Sequence, residues 1–424
     1  MDSFDYRDGV LHCEDVALPA IAAAVGTPVY VYSTATLRRH ARVFREGLAG
    51  LAKVHLAYAI KANPNLAVLR VLADEGYGAD VVSGGEMARA LAAGIPARDI
   101  VFSGVGKTRA ELAKGLDVEN GAGIGQFNLE LEEEGVVLAG LALARGVSAP
   151  ATLRVNPDVD AGTHAKISTG KADNKFGVPI DQVPAMFARL AALDGLDLKG
   201  VAIHIGSQLS DLSRLEVAYA RIGRLVAELR AAGHRITRVD LGGGLGVPYK
   251  AGDILPSPAE YGAMVARVSK GWDVELMFEP GRVIAGNAGV LLTEVIWVKP
   301  GVTDPYVIVD AAMNDLMRPA LYDAWHDFAA VRPTGAQIRA NIAGPVCESG
   351  DTFAMGRDID AVTSGDLAVF RTAGAYGATM ASTYNSRGLV PEVLVDGDRF
   401  AVVADRIQPE TILAAERMPE WLGK

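Results

Sequence analysis

Cysteine is almost absent from this chain, which has only Cys13 and Cys347 among its 424 residues. Two cysteines are too few for a disulfide framework, and they do not form the pattern of a zinc site. The seven histidines include no close pair and no His-Glu-x-x-His motif, which are common signs of a catalytic metal centre. The sequence therefore gives a metal site little support, and we expect none.

Long apolar runs and an excess of positive charge are also missing. Apolar runs such as residues 136–144 are far shorter than the roughly 20 residues that a membrane-spanning helix needs. The formal net charge is −10, whereas binding to nucleic acid or to acidic membranes needs a basic surface. The N-terminus is polar and acidic, without a secretory pattern. We expect a soluble cytoplasmic protein that binds neither nucleic acid nor membranes.

What the chain does have is a regular alternation of strand-like and helix-like segments. Half of the residues are hydrophobic and 22% are charged, which is typical of a packed globular protein. The alternation indicates a (β/α)8 TIM-like barrel of parallel strands, although a doubly wound sheet would alternate in a similar way. The β-prone runs are residues 54–60, 79–82, 99–102, 122–127, 152–155, 200–205, 236–241 and 274–278.

Polar residues follow these runs, and in a barrel they would meet at the carboxyl-terminal mouth, where the active sites of this fold lie. One connecting loop, residues 163–177, is rich in small and charged residues and is interpreted as a mobile lid. The polar residues are Lys61, Ser83, Ser103, Asn128, Asn156, Gly206, Ser207, Gln208, Gly242, Gly243, Gly244 and Glu279.

Beyond residue 282 the pattern changes, because strand-like runs follow one another without regular helices between them. Such a pattern is typical of antiparallel β structure. We therefore predict an α/β barrel over residues 28–283 and a second, mainly antiparallel β domain. The second domain is predicted to contain residues 284–424 and to include residues 1–27.

Lys61 ends the first of the barrel runs. Residues 54–60 are apolar and β-prone, which predicts a buried strand. A cation at the mouth of such a strand is costly unless it is paired, neutral or covalently modified, and desolvated lysines are the ones that form Schiff bases. Considered alone, Lys61 is explained better as a lysine that reaches solvent from the strand end.

Three other positions are equally open when considered singly. Residues 240–246 contain a glycine cluster after a strand, which indicates either a tight turn or a phosphate site formed by backbone N–H groups. Glu279 could form a structural ion pair with Arg282 or accept a hydrogen bond from a protonated ring nitrogen. His204 ends an apolar run and by itself resembles a core histidine.

Seven short sequence motifs, taken in order along the chain, resemble those of the diaminopimelate decarboxylases. These are pyridoxal-phosphate enzymes of the alanine racemase-like fold. Each motif is weak evidence alone, but together the motifs span nearly the whole chain in the order found in the family. One departure is Leu131, where a serine is expected. The motifs are residues 59–63, 204–208, 240–246, 279–282, 314–319, 347–351 and 374–377.

The resemblance implies how the cofactor, pyridoxal 5'-phosphate, would be held. Lys61 would carry it covalently, and His204 would stack on its ring. Glu279 would pair with the ring nitrogen and keep it protonated, so that the ring can accept the electrons left by CO2. The phosphate would be bound by the backbone of Gly242, Gly243, Gly244, Pro280, Gly281 and Arg282, and by Tyr376.

The resemblance also implies the substrate contacts. Arg282, Arg318, Tyr322 and Tyr376 would select a distal carboxylate, and Glu348 a distal ammonium group. Cys347 and Glu348 would enter from the second subunit of a homodimer, with Cys347 a candidate proton donor. Considered alone, Arg318 and Glu348 are explained better as solvated charges, and Tyr322 and Cys347 as packing residues.

The activity implied is decarboxylation of meso-2,6-diaminopimelate to L-lysine and CO2, the last step of lysine biosynthesis. One alternative is a relative that acts on ornithine, arginine or carboxynorspermidine, against which Arg318 and Tyr322 argue. Another is a non-catalytic pyridoxal-phosphate carrier, although such carriers resemble the barrel alone. A third is a Schiff-base aldolase without a cofactor, which would be colourless.

Overall fold

The computed structural model describes residues 2–160, 170, 174–250 and 252–423. The chain divides into two compact units. The barrel unit contains Arg38–Pro248 and Gly252–Ile284, and the β unit contains Met1–Leu37, Tyr249–Ala251 and Ala285–Lys424. Most of the predicted lid, residues 163–177, lies outside the described residues. In the described ranges, no helix is both long enough and apolar enough to cross a membrane.

The N-terminal segment forms a small antiparallel sheet, a helix and one longer strand before the barrel begins. Ser33 accepts a hydrogen bond from the N–H of Thr36 at 3.0 Å and so starts the helix that leads into the barrel unit. The elements are β1 (Phe4–Arg7), β2 (Val10–Cys13), β3 (Val16–Ala17), α1 (Leu18–Val25), β4 (Val29–Ser33) and α2 (Thr34–Gly47).

The barrel unit alternates strands with helices, as the sequence predicts. Its strands are β5 (Val54–Ala59), β6 (Gly78–Val81), β7 (Ile100–Phe102), β8 (Gln126–Leu129), β9 (Ala149–Asn156), β10 (Val178–Pro179), β11 (Leu196–Ile203), β12 (Arg238–Asp240) and β13 (Glu275–Phe278). Its helices are α3 (Leu66–Asp74), α4 (Gly84–Ala92), α5 (Arg109–Gly121), α6 (Glu132–Leu143), α7 (Val183–Ala191), α8 (Leu212–Ala231), α9 (Pro258–Val268) and α10 (Arg282–Ala285).

These strands close into a parallel barrel, which confirms the predicted fold class. The pairing runs from β5 through β6, β7, β8, β9, β11 and β12 to β13. Strand β13 then pairs in parallel with β5, with Leu276 opposite Val54, and the short β10 is an extra strand beside β9. Ala57, Val101 and Met277 form a buried apolar cluster. All carboxyl ends of the strands therefore open at one end of the barrel.

The β unit is built on a large sheet of mostly antiparallel strands, with β15–β17 and β4–β20 as parallel pairs. Its main path runs β18-β17-β15-β14-β4-β20-β21, and β19 pairs with β14 and β16. The elements are β14 (Gly289–Lys299), β15 (Tyr306–Val309), α11 (Arg318–Tyr322), β16 (Phe328–Ala330), β17 (Gln337–Ala343), β18 (Thr352–Asp360), β19 (Leu367–Phe370), β20 (Glu392–Asp396), β21 (Arg399–Ala404) and α12 (Pro409–Leu413).

The division of the chain differs from the predicted one at its start. Residues 28–37, which we assigned to the barrel, belong to the β unit. The reason is that β4 pairs with β14 on one side, Val31 opposite Val290, and with β20 on the other, Val31 opposite Val393. The fully buried residues of β4 thereby join the core of that sheet.

Candidate active site

The local sequence places Lys61 at the carboxyl end of β5. The strand ends at Ala59, and a single 3-10 turn carries Lys61. The Asn65 side chain then caps α3 by accepting the N–H of Ala67 at 2.9 Å, which satisfies one of the unpaired donors at a helix start. The ammonium nitrogen of Lys61 lies 2.6 Å from Oδ2 of Asp80, which is completely buried, whereas the Lys61 side chain keeps 34% exposure.

A cavity of about 460 Å3 opens beside this lysine. Its lining comes from the strand ends and loops of the barrel unit and mixes two amines, two carboxylates, a guanidinium group and an imidazole with glycine backbone. A concave site with convergent polar groups of this kind is the usual form of a small-molecule site. The lining residues are Lys61, Val82, Ser103, Gly104, Val105, Gly106, Asn128, Arg154, Lys175, Phe176, Ala202, Ile203, His204, Asp240 and Glu279.

Glu279 directly follows β13 and is buried. Its Oε1 lies 3.4 Å from both Ser103 Oγ and Asn128 Nδ2. Burial raises the pKa of Glu279 well above its usual value, and the negative charges of Asp240 and Asp80 raise it further. A buried carboxyl group with two acidic neighbours favours its protonated form.

His204 follows β11 and lines the same cavity. Its Nδ1 accepts the backbone N–H of Gly243 at 3.2 Å, so the ring proton is on Nε2. Burial lowers the pKa of His204 well below its usual value, and the positive charges of Lys61 and Arg154 act in the same direction. The ring is therefore neutral, with a fixed tautomer.

The glycine turn after β12 is packed too tightly for side chains. A Cβ on Gly242 would lie 2.4 Å from the Ile203 carbonyl oxygen, and one on Gly243 would lie 2.2 Å from that of Glu279. Gly242 and Gly244 also adopt positive φ angles of 65° and 122°, which favour glycine. The backbone of this turn can therefore approach the His204 and Glu279 segments, with Gly243 N–H already used by His204.

Some residues of the cavity were missed by the sequence analysis because they lie inside strands. Arg154 of β9 donates from Nη1 to Glu130 Oε1 at 2.7 Å, and Glu130 Oε2 accepts the Gly177 N–H at 2.7 Å. Asp80, the partner of Lys61, is likewise a strand residue. A charged residue inside an otherwise apolar strand is the signal that could have found both. Asn128, expected after a strand, also lies within β8.

Arg282 of the predicted site is buried in the barrel unit. Its Nε and Nη2 donate to Ser207 Oγ at 3.2 and 3.1 Å. Ser207 belongs to the loop after β11, so the contact joins two of the sequence motifs, residues 204–208 and 279–282. The neighbouring Gly281 packs closely against Ala59, whose Cβ would lie 3.0 Å from a Cβ added to Gly281.

Arg318 begins α11 of the β unit and is buried, which excludes the alternative of a solvated surface charge. Its Nη1 lies 2.8 Å from Nε2 of His326, and its guanidinium carbon lies 4.4 Å from the centre of the Tyr249 ring. Because arginine has no acceptor, the His326 Nε2 must accept, and its Nδ1–H donates to the Arg371 carbonyl at 2.9 Å. Arg318 is thus held in a defined direction.

The remaining predicted residues also belong to the β unit. Tyr322 is the last residue of α11, and Tyr376 has a positive φ of 56°. Cys347 and Glu348 lie exposed on the turn between β17 and β18. The Asp351 carboxylate accepts the N–H groups of Val346 and Met313, both at 2.7 Å, and so holds this turn in place.

Comparison with known proteins identifies the family. The model of the pyridoxal-binding domain of pyridoxal-dependent decarboxylases matches residues 34–286. The diaminopimelate decarboxylase of Zymomonas mobilis is 51% identical over 100% of both chains, and that of Pseudomonas aeruginosa is 48% identical over 99% of both. The chain belongs to the diaminopimelate decarboxylase family. The solved structure of diaminopimelate decarboxylase from M. jannaschii with L-lysine has a TM-score of 0.94, 33% identity and 99% coverage of both chains.

Membership of this family makes the chain a carboxy-lyase with pyridoxal phosphate as cofactor. The residues of the barrel cavity fit that group. Lys61 offers a primary amine for the aldehyde, and Oδ1 of the neighbouring Asp80 is buried with no hydrogen-bond partner among the described residues. Glu279 offers a carboxyl group for a ring nitrogen, and the glycine turn packs directly beside it, because a Cβ on Gly243 would lie 2.2 Å from the Glu279 carbonyl oxygen.

Proposed function

We propose that this protein converts meso-2,6-diaminopimelate to L-lysine and CO2, the last step of lysine biosynthesis. The proposal rests chiefly on one observation: Lys61 and Glu279 line the same cavity in a chain that matches diaminopimelate decarboxylases from end to end. In the reaction the bond between the α-carbon and the carboxylate breaks, and a proton takes the place of CO2. Bound pyridoxal phosphate supplies the electron sink for the pair of electrons left on that carbon.

Within the barrel unit, we propose that Lys61 attaches the cofactor and that its ion pair with Asp80 orients the amine. Neutral His204, with its tautomer fixed by Gly243, offers a ring face for stacking without adding positive charge. Glu279 faces the ring nitrogen. Backbone of the turn 242–244 and of residues 280–282, together with Tyr376, binds the phosphate.

For the substrate, we propose that Arg318 binds the distal carboxylate. His326 and Tyr249 support this role because they orient the guanidinium group before substrate arrives, and a preoriented arginine loses less conformational entropy on binding. Arg282, Tyr322 and Tyr376 contribute to the same recognition. An amine substrate without a distal carboxylate leaves Arg318 with that interaction unmade.

We further propose a cytoplasmic homodimer in which Cys347 and Glu348 serve the second subunit's site. Both residues are exposed on one turn that the buried Asp351 carboxylate holds. In this arrangement Glu348 binds the distal ammonium group and Cys347 delivers the proton to the α-carbon.

Release of CO2 from a panel of amino acids tests the function. The purified protein with pyridoxal phosphate should release CO2 from meso-diaminopimelate and form L-lysine, while ornithine and arginine react poorly. Lys61→Ala should be inactive, whereas Lys53→Ala, at the other end of β5 and exposed, should keep full activity. Faster turnover of ornithine or arginine would identify a related decarboxylase, and no CO2 from any of them would favour a non-catalytic carrier.

A further inference from the structure

We propose that Asp240 and Glu279 share a single proton in the cofactor-free site, and that Asp240 is the positioning residue that keeps this proton on Glu279. The inference deepens the proposed function, on which it rests only in assigning the cofactor's ring nitrogen to Glu279. It concerns two side chains of the barrel unit, one of which, Asp240, has no other role in the site.

The two carboxyl groups are in contact with each other and are also joined by the amide group of Asn128. Asn128 Nδ2 lies 3.1 Å from Oδ2 of Asp240 and 3.4 Å from Oε1 of Glu279. The backbones are joined as well, because Glu279 N–H donates to the Gly242 carbonyl at 2.8 Å and Gly242 N–H donates to Asp240 Oδ1 at 2.9 Å. Both carboxyl groups are buried.

Asp240 and Glu279 accept different numbers of hydrogen bonds, and this difference indicates which of the two carries the negative charge. Asp240 accepts the N–H of Gly242, the amide of Asn128, and the amide of Gln126 at 3.3 Å. Besides its contact with Asp240 itself, Glu279 accepts two long contacts of 3.4 Å, from Ser103 and Asn128. Because donors stabilise the ionised form of a carboxyl group, the negative charge belongs on Asp240 and the proton on Glu279.

The orientation of the two amides is fixed from the base of the barrel. Arg238, which can only donate, binds Gln126 Oε1 at 3.0 Å, so Gln126 Nε2 must face the other way. That nitrogen donates to Asn128 Oδ1 at 2.6 Å, to which Thr152 also donates. Asn128 is thereby forced to turn its NH2 group toward the two carboxyl groups. Arg238 itself is paired with Glu275 at 2.6 Å.

The surrounding cations do not compensate a second negative charge on this pair of carboxyl groups. Lys61 is the nearest cation, but it is already paired with Asp80 at 2.6 Å. Two ionised groups in addition to Asp80 would leave a net negative charge in a buried cavity, which is costly. The pKa of Asp240 is raised by burial, while its contact with Glu279 opposes that rise. The pKa of Glu279 is raised by burial and by Asp240.

The other titratable groups on the neighbouring strands do not compensate this charge. Arg154 of β9 is paired with Glu130, and His204 after β11 is neutral because burial and two cations lower its pKa. Glu279 therefore enters cofactor binding as an acid. With the cofactor bound, Glu279 would be the residue that supplies a proton to a neutral ring nitrogen, its own O–H bond breaking, and it would remain beside the ring as a carboxylate.

Infrared spectroscopy of the cofactor-free, full-length chain tests the shared proton without relying on catalysis. At neutral pH the wild type should show a protonated carboxyl band that Glu279→Gln removes. Asp240→Asn should also remove it, because the charge of Asp240 then no longer opposes the ionisation of Glu279. Asp273→Asn, at a side chain that is 90% exposed, is the matched control and should leave the band unchanged.

Two results would overturn the proposal: no band in the wild type, or a band that survives Glu279→Gln. The Glu279→Gln comparison decides the shared proton even if Asp240→Asn fails to fold. If the band survives in folded Asp240→Asn alone, Asp240 does not keep the proton in place. All of these outcomes are independent of CO2 release, so failure of the proposed function would be seen separately.

The positioning role of Asp240 has a second readout in the binding of pyridoxal phosphate. In Asp240→Asn the proton for the ring nitrogen must come from solvent, so affinity should fall more steeply between pH 6 and pH 8, roughly tenfold for each pH unit if one proton is taken up. A merely structural role for Asp240 would weaken binding equally at every pH. Titration of cofactor binding across this range distinguishes the two.

Discussion

Single residues determine the chemistry of the barrel cavity through the way in which their charges are compensated. Lys61 is neutralised by Asp80, Arg154 by Glu130, and Arg238 by Glu275. The remaining pair of acids, Asp240 and Glu279, has no cation of its own. The site therefore stores a proton beside the position we assign to the ring nitrogen, and it keeps a paired amine at the position of attachment.

Arg318 gives a prediction about substrate selection. Replacing it by methionine would remove the charged hydrogen bonds that we propose it makes to a distal carboxylate, and such bonds contribute about 1.5–3 kcal/mol. We expect kcat/KM for diaminopimelate to fall roughly tenfold to over a hundredfold, with ornithine turnover almost unchanged. Steady-state kinetics on both substrates measures this, and Arg399→Met, at a side chain 78% exposed, is the control. An equal loss on both substrates would show that Arg318 has only a structural role.

At the residue scale, the sequence predicted some of the cavity and missed the rest for a physical reason. Lys61, His204 and Glu279 end apolar runs, so their polar character stands out locally, and all three line the cavity. Asp80 and Arg154 lie within strands, and whether a strand residue faces the cavity depends on barrel closure and register. Those depend on pairing between distant segments and cannot be read from one strand.

At the scale of elements, the predicted strands of the barrel were mostly correct because short apolar runs of parallel strands stand out between helices. The run at residues 122–127 was placed too early, since β8 begins only at Gln126. Residues 118–120 have non-helical angles, two of them with positive φ, and this irregular turn delays the strand. In the β unit, β16 has only three residues, and β18 contains Gly356 and several charges, so neither strand is easily predicted from its own sequence.

The departure at Leu131 gives a prediction about helix α6. Leu131 is the N-cap residue and makes no side-chain capping hydrogen bond. Serine at this position would accept a backbone N–H of the first turn, so Leu131→Ser should stabilise the protein by about 1 kcal/mol. Because Leu131 is 39% exposed, little apolar burial is lost. Thermal unfolding compared with Leu131→Ala measures the effect of the cap, and a serine variant no more stable than the alanine variant would contradict it.

At the scale of the whole molecule, the sequence pattern changes from strands that alternate with helices to strands that follow one another, and this change predicted two units. The assignment of residues 28–37 could not be predicted, because β4 pairs with segments more than 250 residues away in sequence, such as Val290 and Val393. Nothing local in residues 29–33 distinguishes a barrel strand from a sheet strand. Long-range pairing alone decides the unit to which such a strand belongs.

The proposed shared sites predict complementation between inactive subunits. Lys61→Ala and Glu348→Ala should each be inactive, but a mixed dimer should contain one site with both residues intact. Mixing with subunit exchange should therefore restore some activity, up to half of that of the wild type per mixed dimer. A mixture of Lys61→Ala with Lys61→Ala,Glu348→Ala is the control, since it has no intact site. Exchange demonstrated without recovery would contradict the shared site.

The most direct test of the central claim is to locate the cofactor on the chain. Borohydride reduction of the purified enzyme with pyridoxal phosphate, followed by proteolysis and mass spectrometry, fixes the label to the lysine that carries it. We predict a single pyridoxyl label on Lys61, with loss of the visible absorption band in Lys61→Ala. A label on another lysine, or an active Lys61→Ala enzyme, would contradict the account.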